Sequence, residues 1–215
     1  MARSYTLPDH SVGYAPEGLS VPLTGGTTAG FKTVALSSKQ DRQTFRTNSG
    51  RLITNYNSAH IWKATISYNE ITKEQFDIIY TFLLRMQTER TAFYVKMPHW
   101  NQETEIANIA TTEDILPGSG QFFYGSTVTS NPGQYFNVED PKNPQHVKTY
   151  MYTGREGGGD ILTTPSMQYF VNTGAVLNFT DVKLRVVLEK QATISYTVNQ
   201  DNLYKLSLKV EEALI

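Results

Sequence analysis

The chain contains no cysteine. Disulfides, thiolate metal sites and cysteine nucleophiles are therefore excluded. No apolar run approaches the length of a membrane span. The N-terminus, MARSYTLPDH, lacks the apolar core of a signal peptide. Together these lead to the expectation of a soluble chain made inside a cell. Charge of one sign is also missing. Nineteen Lys and Arg stand against 20 Asp and Glu, for a formal net charge of −1. No basic run or basic–aromatic patch stands out, so nucleic-acid binding by phosphate neutralisation is not favoured. Histidine is scarce. His10, His60, His99 and His146 are the whole set, and none sits at a metal-ligand spacing with another. A zinc site would need His plus carboxylates from distant positions.

What is present favours β structure. The 215 residues suffice for one large domain or two small ones. Tyr (13) and Phe (10) are plentiful and Thr is common, a balance that suits strands. The clearest segment is 60–98. His60, Trp62, Ala64, Ile66 and Tyr68 alternate with Ile61, Lys63, Thr65 and Ser67, the period of a half-buried strand. His60 falls on the apolar side, which reads as a hydrogen-bonded core or interface histidine rather than a ligand. Thr72 with Gln75 forms a capping-box pattern, and Ile71 and Phe76 stand at staple positions. Phe76, Ile79, Tyr80 and Leu83 make an apolar stripe widened by Ile78, Phe82 and Met86, which predicts a helix over 72–88. Glu74 near its start and Arg85 and Arg90 near its end suit the helix dipole. Thr91 to Met97 alternates again, and Pro98 stops it. The aromatics of this helix read as core packing against a sheet, not as a ligand box.

Residues 1–30 are rich in Gly, Pro, Ser and Thr with little periodicity. They form either a disordered tail or an extended N-terminal arm that docks on a neighbouring subunit. Phe31 to Leu36 and Thr44 to Asn55 are weaker strand candidates, with Asn48-Ser49-Gly50 as a turn. Residues 99–110 read as loop with a short strand at Glu105–Ala110. From 111 to 180, short aromatic pieces (122–124, 135–138, 147–152) are separated by Pro132-Gly133, Asp140-Pro141, Asn143-Pro144 and Gly154 to Gly159. This texture suggests a small barrel or sandwich-like unit. Val182 to Leu188, Ala192 to Val198 and Tyr204 to Val210 each alternate, with turns at Glu189–Gln191 and Asn199–Asn202. They predict an antiparallel meander that needs a cover on its apolar face. The helix at 72–88 is the candidate cover. The expected fold is mainly β (α+β): an antiparallel β-sandwich or split barrel, 31–103 with 181–215, packed on one helix. A small β-barrel-like unit, 104–180, is inserted in it.

Chemistry is hard to find in the sequence. Ser and Thr are many, but no G-x-S-x-G elbow is present. Gly154 to Asp160 invites a phosphate-loop reading, yet it lacks the terminal Lys-Ser/Thr and does not lead into a helix. It reads better as a hairpin tip. Glu103 with Glu105, and Glu113 with Asp114, are candidate paired acids without specific information. Asp140 to Asn143 lacks the ligand pattern of a calcium loop. No catalytic residue, cofactor site or metal site is expected, and the chain does not read as an enzyme.

The run TNSGRLITNYNSAHIWKATISYNEITKEQFDIIYTFLLRMQTERTAFYVKMP resembles bacteriophage distal tail and minor tail proteins of the tail tip and baseplate hub. The shared elements are Trp62, the helix start Thr72-Lys73-Glu74-Gln75-Phe76, and the strand Phe93 to Pro98. Pro132 to Phe136 followed by His146 to Thr153 is similar to a pattern of the inserted β unit in such proteins. Tyr204 to Leu214 is similar to their closing strand. The likeness covers residues 44–215, with Gln134 standing where an acidic residue is common. It implies a structural virion protein, synthesised in the host cytoplasm. It also implies a homo-oligomeric ring, hexamer or trimer, around a DNA channel, contacting tail-tube, hub and fibre proteins. Specific nucleic-acid binding and membrane association are not implied. The alternative is a host-surface glycan-binding module of a tail, motivated by the aromatics at 122–124 and 135–136. A tail-associated hydrolase is a third reading.

Overall fold

The structure of the protein, a computed structural model, describes residues 5–8, 31–97, 100, 109–123, 131–144, 146–156, 160–189 and 194–214, with backbone alone for 41–43, 54–59 and 109. Several expectations fall outside these residues: the arm over 9–30, His10, Pro98, His99, Glu103, Glu105, Tyr124, Gly157 to Gly159 and the turn at 190–191. The fold is mainly β, with two six-stranded antiparallel sheets and one described helix. The chain divides into two compact units. Unit 1 comprises Met1–Ser37, Trp62–Lys96 and Leu184–Ala213; unit 2 comprises Ser38–Ile61, Met97–Lys183 and Leu214–Ile215.

The helix of unit 1, α1 (Lys73–Glu89), begins where its capping residues dictate. Thr72 is extended at φ −67°, ψ 162°. Its hydroxyl accepts from Gln75 N–H, while the Gln75 side chain accepts from Thr72 N–H at 3.2 Å. The helix ends at Arg90, which is left-handed at φ 50° and donates its N–H to the Met86 carbonyl. The expected pairing of arginines with the C-terminal dipole is corrected here, because no basic residue sits in the last turn. Arg90 is itself the cap. Arg85 reaches forward to Glu89 at 2.7 Å and across to the Tyr5 hydroxyl at 3.0 Å.

Phe76, Ile79, Phe82, Leu83 and Met86 form the buried face of the helix. The sheet beneath has the order β1 (Phe31–Arg46), β2 (Leu52–Tyr68), β12 (Tyr204–Glu212), β10 (Lys183–Leu188), β3 (Phe93–Lys96). It offers the buried halves of three alternating patterns: Trp62 to Tyr68, Leu206 to Val210, and Leu184 with Val186. The Phe82 ring meets Phe93 edge-on at 5.5 Å, and Phe76 stacks on Tyr204 at 4.4 Å. Each such side chain contributes about 1.5–3 kcal/mol by leaving water.

Two features differ from the sequence reading. The last three strands are not a simple meander. Ser207 pairs with both Ser67 of β2 and Ser195 of β11 (Ser195–Val198), and Val210 pairs with both Ala64 of β2 and Leu188 of β10. Strands β10 and β11 therefore share one edge of β12, which at nine residues is long enough to host both. Residues 5–8, expected within a tail or an arm for a neighbour, dock in their own unit. Thr6 bridges Tyr94 in parallel, Leu7 N–H donates to the Tyr94 carbonyl at 2.8 Å, and Tyr5 and Leu7 are buried.

Unit 2 carries the second sheet, in the order β4 (Ile109–Ala110), β9 (Val176–Asn178), β6 (Tyr135–Glu139), β7 (Thr149–Glu156), β8 (Asp160–Thr164), β5 (Gln121–Phe123). The two ends of this order are consecutive in the chain. Between them Thr111 bonds Ala175, Ile115 bridges Val171, Gly118 bonds Met167, and Thr163 bonds Gly120. The run 109–123 thus follows 160–177 and carries both end strands of this order, which curls the sheet into a small barrel. Its interior is one cluster that includes Phe122, Phe136, Tyr150, Tyr152, Ile161, Leu177 and Phe179. A bulge between Tyr152 and Gly154 bends β7. The Thr164–Pro165 peptide bond is cis.

Candidate functional site

The polar groups that converge most closely lie in unit 2, around His60. It continues the buried parity of Trp62, Ala64 and Ile66 and is itself buried. Lys148, fully buried, donates to the His60 carbonyl at 2.8 Å and approaches its Nδ1 at 3.3 Å. Ser38 Oγ lies 2.8 Å from His60 Nε2. Gln168 Nε2 also donates to the His60 carbonyl, at 3.3 Å, while its backbone N–H donates to Tyr150 Oη at 3.1 Å. Tyr150 Oη lies 2.9 Å from Nε2 of the buried His146. Two buried histidines are thereby joined through Gln168 and Tyr150.

Burial, and then the Lys148 charge, push the His60 imidazole down to about 4. Burial also pushes His146 down to about 4, against the pull of Asp140. Both rings are neutral at pH 7. The donors set the His60 tautomer. An ammonium has no lone pair, so Nδ1 accepts from Lys148 and Nε2 carries the proton toward Ser38 Oγ. This is the reverse of what a nucleophilic serine needs, where the imidazole accepts the hydroxyl proton and a carboxylate steadies its far side. The arrangement orders Ser38 as an acceptor from His60, leaving its own O–H to donate outward.

The other candidates are dispersed. Glu113 accepts from Phe123 N–H at 3.1 Å, whereas its neighbour Asp114 accepts from Thr173 N–H and hydroxyl at 2.7 and 2.8 Å. Those Thr173 bonds hold the Asp114 carboxyl below the usual range. The two acids therefore tie down different loops. Asp140 is buried, which alone would raise its pKa. Bonds from Asn172, Lys142 and Asn143 N–H outweigh that and lower it. Its Oδ1 accepts from Lys142 N–H at 2.9 Å and its Oδ2 from Asn172 at 2.9 and 2.7 Å, so it anchors a turn. The described ends of the Gly154 to Asp160 stretch belong to β7 and β8, which pair antiparallel with Glu156 opposite Asp160. Among the described residues no three His, Asp or Glu side chains group as metal ligands.

The aromatics that motivated a glycan surface are mostly spent on packing. Phe122 and Phe136 are core, and Tyr135 stacks on Trp100 at 4.3 Å; Phe123 remains exposed. Sequence reasoning singled out His60 but missed Ser38, Lys148 and Gln168 as its partners. One signal was available: His146, Lys148, Tyr150 and Tyr152 share a period-two parity, which turns the lysine inward with the rings. No family model and no curated protein matches the chain. No described helix is long and apolar enough to cross a membrane.

Proposed function

We propose that this chain is a structural component of a phage virion tail. It forms a ring at the distal tail tip or baseplate hub, hexameric or trimeric, that joins the tail tube to the tip or fibres and surrounds the DNA channel. The sequence resemblance over 44–215 motivates the reading, and one structural observation carries it. Among the described residues the first sheet ends in β1, a 16-residue strand that begins in unit 1 and continues from Ser38 in unit 2, exposed or half-exposed at every described side chain. Phe45, Leu52 and Ile53, beside the β1–β2 turn, are about half exposed (57%, 58% and 49%). A long edge strand with apolar neighbours is a template for another chain, and a closed ring satisfies it in every copy. The near-neutral charge suits a channel through which DNA slides without sticking. Electron microscopy of virions labelled on this chain tests the proposal. The label is expected at the distal end of the tail; a label on the capsid, or on no particle at all, sinks it.

A further inference from the structure

A cavity of about 800 Å³ opens on unit 2, between the Ser38–Gln40 stretch of β1 and the loop Thr163–Tyr169. Its size falls in the range of small-molecule sites, roughly 300–1,000 Å³. None of its described lining residues is Asp, Glu, Lys or Arg. The Lys148 ammonium stands behind His60, held by its carbonyl and Nδ1, so a charged ligand would lose hydration there without a counter-charge among the lining residues. Ser38, Thr164 and Ser166, which carry hydroxyls, and Gln40 and Gln168, which carry amides, are among its lining residues. A purely apolar ligand would strand these groups. Pro165, Met167 and Tyr169 supply apolar surface alongside them. A group with many hydroxyls on one edge and a C–H face on the other satisfies both parts, because hydroxyls and amides donate and accept alike.

We propose that this cavity is a binding site for a neutral saccharide of one or two rings, with Ser38 O–H as a donor fixed in direction by the Lys148–His60–Ser38 chain. The hydrogen-bond order described above gives that direction: Ser38 accepts from His60 and so presents its proton. The site is independent of where in a virion the chain sits, so it stands or falls separately from the ring proposal.

The test is a ¹⁵N–¹H titration of the full chain with maltose, lactose and N,N′-diacetylchitobiose, against sialyllactose as the anionic control, up to about 10 mM, where weak single-site binding saturates. At least one neutral sugar is expected to shift the amides of Ser38–Gln40 and Thr163–Tyr169 saturably, and the anionic sugar less. Ser38→Ala should weaken binding about tenfold, the loss of one hydrogen bond. Ser166→Trp, which puts a bulky ring at the cavity wall, should weaken it further; the same spectra report whether that variant folds, and if it does not, Ser38→Ala decides. No saturable shift with any neutral sugar overturns the proposal. So do tighter binding of sialyllactose, or affinity unchanged in Ser38→Ala.

Discussion

The two units solve the problem of a β core in opposite ways. Unit 1 leaves its sheet open and covers one face with an amphipathic helix, so its interior is nearly all hydrocarbon and aromatic ring. Its buried Glu212 accepts the Trp62 N–H at 3.1 Å. Unit 2 closes its sheet on itself and buries two histidines, a lysine and an aspartate beside its aromatic cluster. A covered sheet needs only the right periodicity. A barrel with long joining loops leaves backbone groups that no strand satisfies, and buried polar side chains meet them: Asp140 on Asn172, and Asn178 on Thr180 and Asp181. The difference teaches that stability in unit 1 depends on volume, while in unit 2 it depends on volume and on protonation.

The largest effects should come from emptying either core. Phe136→Ala removes a fully buried ring from the barrel and should cost about 3–5 kcal/mol. Leu83→Ala removes a fully buried side chain from the helix face of unit 1 and should cost about 2–5 kcal/mol. Urea unfolding at neutral pH measures both. A cost well under 1 kcal/mol at either position would mean that its interior is not packed as described.

Acid should separate the two units. The folded-state pKa of His60 and of His146 lies near 4, below the ordinary value of 6.5. A depressed base favours the neutral form in the folded state. Its stabilisation is complete above pH 6.5 and is lost as pH falls toward 4. A shift of this size corresponds to about 3 kcal/mol per histidine at the acid end. The groups facing them are Lys148 and Ser38 at His60, and Tyr150, Tyr169 and Asp140 at His146. Amide hydrogen exchange at about pH 7 and about pH 4.5 should show protection falling in the barrel strands β6 to β8 more than in α1. Equal losses in both, or ring signals of His60 and His146 titrating near 6.5, would contradict this.

The same contrast explains what the sequence could reveal. The helix, its capping box, and the strands through Trp62 and Leu208 are written in neighbouring residues, so periodicity and spacing suffice to find them. The mainly β class followed from those patterns. The Lys148–His60 contact joins residues 88 apart and depends on how the chain returns, which no local pattern encodes. Sharing of one β12 edge by β10 and β11 is likewise a matter of pairing, since alternation fixes the face of a strand and not its neighbour. Tyr196 shows the limit. It alternates as a core residue should, yet β11 is exposed at every residue and the ring is 45% exposed beside Phe76 and Tyr80.

The smallest effect probes the most local device in unit 1. Thr72→Ala removes the hydroxyl that accepts the Gln75 N–H, but that contact is long, at 3.5 Å, and solvent-exposed. The reciprocal bond from Thr72 N–H to Gln75 Oε1, at 3.2 Å, survives the substitution because it uses backbone and the other side chain. The cost should therefore sit at the lower end for a lost N-cap, about 0.5–1 kcal/mol. Gln75→Ala should cost less still, since Thr72 N–H can turn to water at this exposed position. Because neither group titrates, both costs should be the same at pH 7 and in mild acid, unlike anything measured around His60. A Thr72→Ala cost that grew with acid would show that the helix start responds to the charge state of some other group, and would remove the cap as the explanation.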